Sequence, residues 1–270
     1  MSSPAGTAPT PAGGPTPGVG VAIAPSAPRT GTVLDRGVAR HDAVRAQAWR
    51  SVGNARVVGE VDVGTVTTRG AVTIGGRLTA DEVRARGALE VVGEVRVSGS
   101  LAVRGSFHAY APVRGGDVTL DGTTHGEAGI QADRRLSGRG SLEAPTLLAG
   151  AIDFEGAVDV PNTIEAWRVA LTLPGPSRLG TVRAHVAVLR GKLPNLVEKV
   201  LLRHAAVEVE RVEADEVELE GVDVGFVRSG RLTLGRGTHV TTVEGTIVKR
   251  HPTAWVGPRS ETPPPHGLRR

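Results

Sequence analysis

Apolar residues recur in closely spaced pairs along the middle of the chain. From Gly87 the sequence reads GALEVV, GEVRVS, GSLAVR and GSFHAY, and each hexad carries apolar side chains at its third and fifth places. Residues at i and i+2 point to the same face of a strand, so each pair predicts a very short β-strand with one buried face. The glycine or small polar residue between pairs predicts a corner, where a positive φ is often required.

The pairs also follow a longer period. Val61 precedes Leu78 by 17 residues, and Leu78 precedes Val95 by the same interval. Three short strands therefore make one triangular coil, which is the pattern of a parallel β-helix. Similar pairs return over Leu142–Leu171 and, as consecutive pentads, over Val207–Arg236, where an amphipathic helix would leave both of its faces mixed.

These periods predict an all-β protein with a single right-handed parallel β-helix over residues 53–257. Residues 1–52 are interpreted as a disordered Pro/Gly/Ala-rich tail that could include a short helix around Arg40–Arg50. Residues 258–270 are interpreted as a Pro-rich basic tail.

Two stretches inside the predicted solenoid are less regular. The first lies near residues 110–141 and is rich in glycine, and the second lies near 173–206 and holds three prolines. We interpret both as insertions that protrude from the coil, with a short helix near Asn195–His204 as an alternative for part of the second.

Composition supports a thin core of small side chains. Aromatic residues are 3% of the chain, there is one methionine, and there is no cysteine. A core built mainly of Val, Ala and Leu disfavours a helical bundle or a doubly wound nucleotide-binding fold. The absence of cysteine excludes disulfides and thiolate metal sites. The 32 basic and 28 acidic residues mostly alternate, as on a solvated surface, so no nucleic-acid partner is expected.

The repeats and the tails together resemble the bactofilins, which are bacterial polymer-forming cytoskeletal proteins. The resemblance covers residues 53–257 and is strongest over Val207–Gly257, from VEVERVEADEVELEGVDV to TVEGTIVKRHPTAWVG. It implies a right-handed triangular β-helix that assembles end to end without nucleotide, in the cytoplasm and often near the membrane. It also leaves room for a membrane or cell-envelope partner bound through the tails.

A non-polymerising scaffold or adaptor is compatible with the same fold. A further alternative is a transferase built on the left-handed hexapeptide-repeat fold. That fold places an aliphatic residue before a small one at strict six-residue steps, whereas here Arg69, Arg86 and Arg104 precede glycines. Five-residue steps and the 17-residue coil disfavour it further.

Sequence motifs give little support for catalysis. There is no phosphate-cradling GxxxxGK[ST] loop and no GxSxG elbow. No two histidines share an i, i+4 spacing, and no acidic partner for them is obvious. His108 is interpreted as a solvated surface residue, and His125, in THGE, is the best remaining catalytic candidate. We therefore expect no enzymatic activity, no cofactor, no bound metal and no small-molecule substrate.

Charge is unevenly distributed near the second insertion. The basic segment, Arg178–His204, holds six basic residues and one acid, whereas the acidic segment, Val207–Val224, holds eight acids and one arginine. This layout is explained either by a striped solvated surface or by lateral pairing between neighbouring rods.

The ends of a β-helix carry its unpaired strand edges, so the terminal coils are the expected surfaces for self-association. An alternative is that Trp255 and the tail fold back over the last coil and block assembly. The predicted interface residues are Val57, Val61, Val63 and Val66 on the first coils and Val240, Val243, Ile247, Val248 and Trp255 at the last.

Overall fold

The computed structural model describes residues 28–191 and 207–258, and every regular element in this part of the chain is a β-strand. The strands form a single parallel sheet in which each strand pairs with the next along the sequence. This confirms the all-β class and the β-solenoid, while the hand of the coil stays a prediction. The strands are β1 Thr32–His41, β2 Val44–Val57, β3 Val61–Ile74, β4 Leu78–Val91, β5 Val95–Ala109, β6 Val113–Gly126, β7 Ile130–Glu143, β8 Thr146–Leu173, β9 Ser177–Gly191, β10 Val207–Glu220, β11 Val222–Leu234, β12 His239–Arg250 and β13 Trp255–Val256.

Most of these strands correspond to one coil each. Val61 of β3 pairs with Leu78 of β4, and the register holds to the pair of Ile74 and Val91. β8 is 28 residues long and makes two successive coils, the first paired with β7 and the second with β9. The solenoid has about 12 turns of about 17 residues, as the sequence predicts. No described segment forms a helix long and apolar enough to cross a membrane.

Core side chains stack in columns along the axis because neighbouring coils keep their register. The pairs predicted from the sequence face inward, and the larger side chains Trp49, Phe107 and Phe154 are each no more than 2% exposed. One column, with every member at most 2% exposed, consists of Val61, Leu78, Val95, Val113, Ile130 and Leu147.

A column of glycines forms one corner of the coil. Gly53 and Gly70 pair with each other and have φ angles of 117° and 119°. A Cβ atom at Gly70 would lie 2.1 Å from the carbonyl oxygen of Gly53, so a side chain there would force the two coils apart. Glycine is required both by the positive φ and by this close approach. The column consists of Gly37, Gly53, Gly70, Gly87, Gly105, Gly122, Gly140 and Gly156.

The solenoid begins at Thr32 rather than at residue 53, so the predicted N-terminal boundary is wrong. The short helix expected around Arg40–Arg50 is also wrong, because β1 and β2 occupy this region. In β1 the core-facing positions opposite Ser51 and Val57 hold Asp35 and His41, which hide the apolar pattern.

The first predicted insertion is also wrong, since β6 and β7 are ordinary coils. Glycines replace apolar side chains here, and larger neighbours fill the space. A Cβ atom at Gly115 would lie 2.9 Å from Val118 Cγ2, and one at Gly126 would lie 3.1 Å from Ile130 Cγ1.

The second predicted insertion, 173–206, begins with a regular coil. β9 pairs in parallel register with β8 on one side and with β10 on the other, so the solenoid continues across this region. Residues 192–206, which include the alternative helix, lie outside the described residues. So do residues 1–27 and 259–270, on which the predictions of disordered tails fall.

Candidate functional site

The N-terminal end of the solenoid, formed by β1, places polar side chains over the core. Asp35 Oδ2 accepts a hydrogen bond from Trp49 Nε1 at 2.7 Å and lies 2.9 Å from His41 Nε2. The Asp35 side chain is only 9% exposed, and Trp49 is fully buried beneath it. The Asp35 carboxylate thus satisfies the indole donor at the end of the solenoid. We call Asp35, His41 and Trp49 the polar cap.

The outer edge of β1 pairs with no other described strand. The segment before it runs along the flank, since Arg29 forms ion pairs with Asp62 and Asp81 of the third and fourth coils at 2.7 and 3.1 Å. Leu34 and Val38 project outward from β1 and are 66% and 87% exposed. The backbone edge is therefore uncovered by the described residues.

The C-terminal end of the solenoid, formed by β12 and β13, carries apolar residues. Val243 and Ile247 stand in register over Val227 and Leu232 of β11, so they end two core columns. Val243 is partly buried and Ile247 is 38% exposed. Val248, next to Ile247 at an irregularity of the register, is 55% exposed. The apolar side chains of the last coil are thus partly exposed on this side, while Val227 and Leu232 beneath them are fully buried.

Residues 251–257 fold back over the beginning of β12. Trp255 and Val256 pair with His239 and Val240, which leaves the rest of β12 without a described partner strand. Ala254 is 3% exposed, and its carbonyl oxygen accepts hydrogen bonds from the Arg250 guanidinium at 3.0 and 3.2 Å.

A buried histidine fixes this folded-back segment. His239 Nδ1 lies 2.6 Å from Asp223 Oδ1, and its Nε2 lies 2.9 Å from the carbonyl oxygen of Gly257. The folded-back segment therefore covers only part of the C-terminal end, and the side chains of Val243 and Ile247 stay partly exposed.

The predicted interface residues fall into two groups. At the C-terminal end Val243, Ile247, Val248 and Trp255 lie at the surface of the last coil, and Trp255 is 55% exposed. Val240 is fully buried, because Val256 pairs with it and closes this column.

The predicted N-terminal group does not lie at the end of the rod. Val57, Val61, Val63 and Val66 are each no more than 1% exposed. β1 lies outside Val57, and both β1 and β2 lie outside the other three. The prediction that they form the first coils is wrong because the N-terminal boundary is wrong, and the residues at the edge are those of β1.

The basic and acidic segments pair within one molecule. Arg183 Nε donates to Glu213 Oε2 at 3.2 Å, and Arg211 Nε donates to Glu213 Oε1 at 2.7 Å. Arg211, with help from Arg183, holds the pKa of the Glu213 carboxyl below its usual range. Among the described residues the two segments thus form ion pairs between β9 and β10, and lateral pairing between rods stays a prediction.

Histidines have acidic partners that the sequence did not make obvious. His125 lies in the regular strand β6, and its Nδ1 is 3.0 Å from Glu143 Oε2. His108 Nε2 is 3.3 Å from Glu127 Oε1. Residues one coil apart become neighbours, so the signal that could have found the first pair is a spacing of about one coil rather than of one helical turn.

The chain matches no protein-family model, no curated protein and no solved structure in the comparisons with known proteins. The bactofilin resemblance therefore stays a hypothesis, which is supported by repeat pattern alone.

Proposed function

We propose that this protein is a structural, polymer-forming protein of bactofilin type, which assembles end to end without nucleotide. The observation that carries the proposal is the open C-terminal end, where Val243 and Ile247 end two core columns in a partly exposed position. Covering such side chains stabilises a contact by about 25 cal/mol per Å2 of apolar area.

Backbone pairing adds to this contact. Most of β12, and the outer edge of β1, have no partner strand among the described residues. A strand edge of this kind can pair with the edge of another chain and so continue the sheet across the interface. Apolar contact and edge pairing thus act at the same surface.

The partial cover over β12 favours the scaffold as a second candidate. Residues 254–257 already occupy one side of the C-terminal end, and His239 holds them in place. If this segment blocks close approach of a second rod, the protein acts as a rigid, non-polymerising scaffold that binds partners along its flanks or tails.

Electron microscopy and sedimentation velocity of the full-length, nucleotide-free protein distinguish the two candidates. With about 12 turns at about 4.8 Å each, we expect filaments with an axial repeat of about 60 Å for head-to-tail docking, or about twice that for docking of like ends. A monomer that persists as the protein concentration is raised to the millimolar range would refute the polymer and leave the scaffold.

A further inference from the structure

One outer column of the solenoid brings two histidines together. His108 of β5 and His125 of β6 pair in register, with Glu90 and Glu143 at the same position on the coils to either side. The two imidazole rings meet edge to face, with centroids 4.9 Å apart. This distance is the ordinary spacing of neighbouring parallel strands, so the backbone alone holds the pair together.

Glu127 completes a three-residue cluster. It follows directly after β6, and its backbone N–H donates to the Ala109 carbonyl at 2.9 Å, which fixes it beside β5. One ligand atom from each of His108, His125 and Glu127 lies within 4.8 Å of the other two.

The spacing of these atoms suits a tetrahedral metal ion. Zinc–nitrogen and zinc–oxygen bonds of about 2.0–2.1 Å in a tetrahedron place neighbouring ligand atoms about 3.3 Å apart. The distance between His108 Nε2 and Glu127 Oε1 is already 3.3 Å. Since all three ligand atoms lie within 4.8 Å of one another, metal binding would draw them together by at most about 1.5 Å.

Surrounding residues orient both imidazoles. Glu143 Oε2 lies 3.0 Å from His125 Nδ1, which leaves Nε2 as the ligand atom. A carboxylate behind a histidine is the usual outer partner of a metal ligand, because it fixes the ring and its tautomer. On the other side the Tyr110 ring stacks on His108 at 4.1 Å, and the Tyr110 hydroxyl donates to Glu90.

We propose that His108, His125 and Glu127 bind a divalent transition-metal ion such as Zn2+, with the fourth position open to water or an external ligand. Two imidazoles and one carboxylate are a donor set that selects Zn2+ over Mg2+ or Ca2+. The side chains are 34%, 38% and 46% exposed, so the ion can enter directly from solvent. It would clamp β5 to β6 on the flank of the rod, away from both ends.

Calorimetric titration of the full-length protein with Zn2+ at pH 7.5 tests the site. We expect the His108→Ala and His125→Ala variants each to lose at least tenfold in affinity, and Glu143→Gln to lose less. With Co2+ bound, the wild type should show the visible absorption spectrum of a tetrahedral site. A variant in which both His108 and His125 are replaced by alanine should lack this spectrum. Circular dichroism checks that each variant remains folded.

His185 offers a matched control. Its imidazole also pairs with a carboxylate, that of Asp215, and stacks on an aromatic ring, that of Trp167 at 4.1 Å. His185→Ala should therefore leave Zn2+ affinity unchanged. Wild-type protein that binds no Zn2+ below 1 mM would overturn the proposal. So would a double variant of His108 and His125 that binds the ion as tightly as the wild type.

Discussion

At the first coil two core columns end in the polar residues Asp35 and His41, beside the apolar Val33 and Ala39, whereas at the last coil two columns end in Val243 and Ile247. Both ends present the edge of a parallel strand, and at β12 part of this edge pairs with β13. At the N-terminal end the polar cap satisfies the Trp49 indole and allows water to contact the coil. At the C-terminal end Val243 and Ile247, which end other columns than those of Asp35 and His41, are partly exposed, and residues 251–257 cover only the beginning of β12.

The side chains of a terminal coil decide whether that end stays in contact with water or associates with another molecule. A terminal repeat with a polar outer face keeps a repeat protein soluble, whereas an apolar one favours association. We therefore expect the C-terminal end to provide most of the free energy of any contact between rods. The N-terminal end would contribute mainly through its backbone edge.

The largest expected effect is on assembly. Substituting Val243→Lys and Ile247→Lys together places two charges on the apolar surface of the last coil, and burying each unpaired charge costs several kcal/mol. We expect folded monomers in sedimentation velocity and no filaments by electron microscopy. Val92→Lys is the control, because Val92 is a 47% exposed residue on the flank of the rod, away from both ends. If the double variant assembled like the Val92→Lys protein, contact through the C-terminal end would be ruled out.

Two glycines of the same column allow a position at the N-terminal edge to be compared with one that another coil covers. A Cβ atom at Gly53 would lie 2.2 Å from the carbonyl oxygen of Gly37, whereas one at Gly37 would meet nothing within 4 Å. We expect Gly53→Ala to lower the free energy of unfolding by about 2–4 kcal/mol through overpacking and strain. Gly37→Ala should cost about 1 kcal/mol, for its positive φ alone.

Urea denaturation followed by circular dichroism gives both values. Equal losses in the two variants would mean that a further segment of the chain or a second molecule covers β1 in solution, and would thus contradict an open N-terminal edge.

The polar cap should contribute measurably to stability. Asp35→Ala removes the acceptor of the buried Trp49 indole, and an unsatisfied buried donor costs about 1–3 kcal/mol. Thermal unfolding should show a lower midpoint for this variant, while Asp42→Ala, at an exposed turn next to β1, should stay within about 0.5 kcal/mol of the wild type. A midpoint for Asp35→Ala that matches the control would mean that the cap is not needed to close this end.

The smallest effect is expected on the flank, where ion pairs are satisfied within one chain. The pKa of Glu213 is lowered in the folded state, so its stabilising contribution is present at neutral pH and is lost as the pH falls through that lowered pKa. Glu213→Gln should therefore lower stability by less than about 1 kcal/mol at pH 7 and by nothing in strong acid. Its assembly should equal that of the wild type. A loss of filaments in this variant would instead support lateral pairing between rods.

Most of the fold could be predicted because a parallel solenoid repeats one local rule. The pairs around Val61, Leu78 and Val95 define the coil length, and parallel pairing continues the columns through later coils despite local register shifts. The rule failed where a column holds a residue of unexpected type. Gly115 in β6 is inward although it has no side chain, and Asp35 in β1 is inward although it is charged. Val118 fills the space at Gly115, and Trp49 and His41 contact the Asp35 carboxylate, and neither compensation follows from the period of apolar residues.

The candidate sites were harder to predict for the same reason. The C-terminal surface could be located because Val243 and Ile247 continue the apolar columns. Trp255 was correctly placed near the end, but the buried position of Val240 depends on hydrogen bonds made by His239 and Gly257. The pairing of His108 with His125 follows from their separation of one coil, a relation that becomes visible only after the coil has been defined.

The matching of columns between neighbouring coils also makes the length of this molecule adjustable in whole steps. Leu78 pairs with both Val61 and Val95, and Gly87 pairs with both Gly70 and Gly105. If residues 78–94 were deleted, the coils on either side would meet with matching columns. Gene duplication or loss could thus lengthen or shorten the rod by about 4.8 Å at a time while both ends keep their chemistry. The number of coils therefore sets the length of the rod independently of the residues at its two ends.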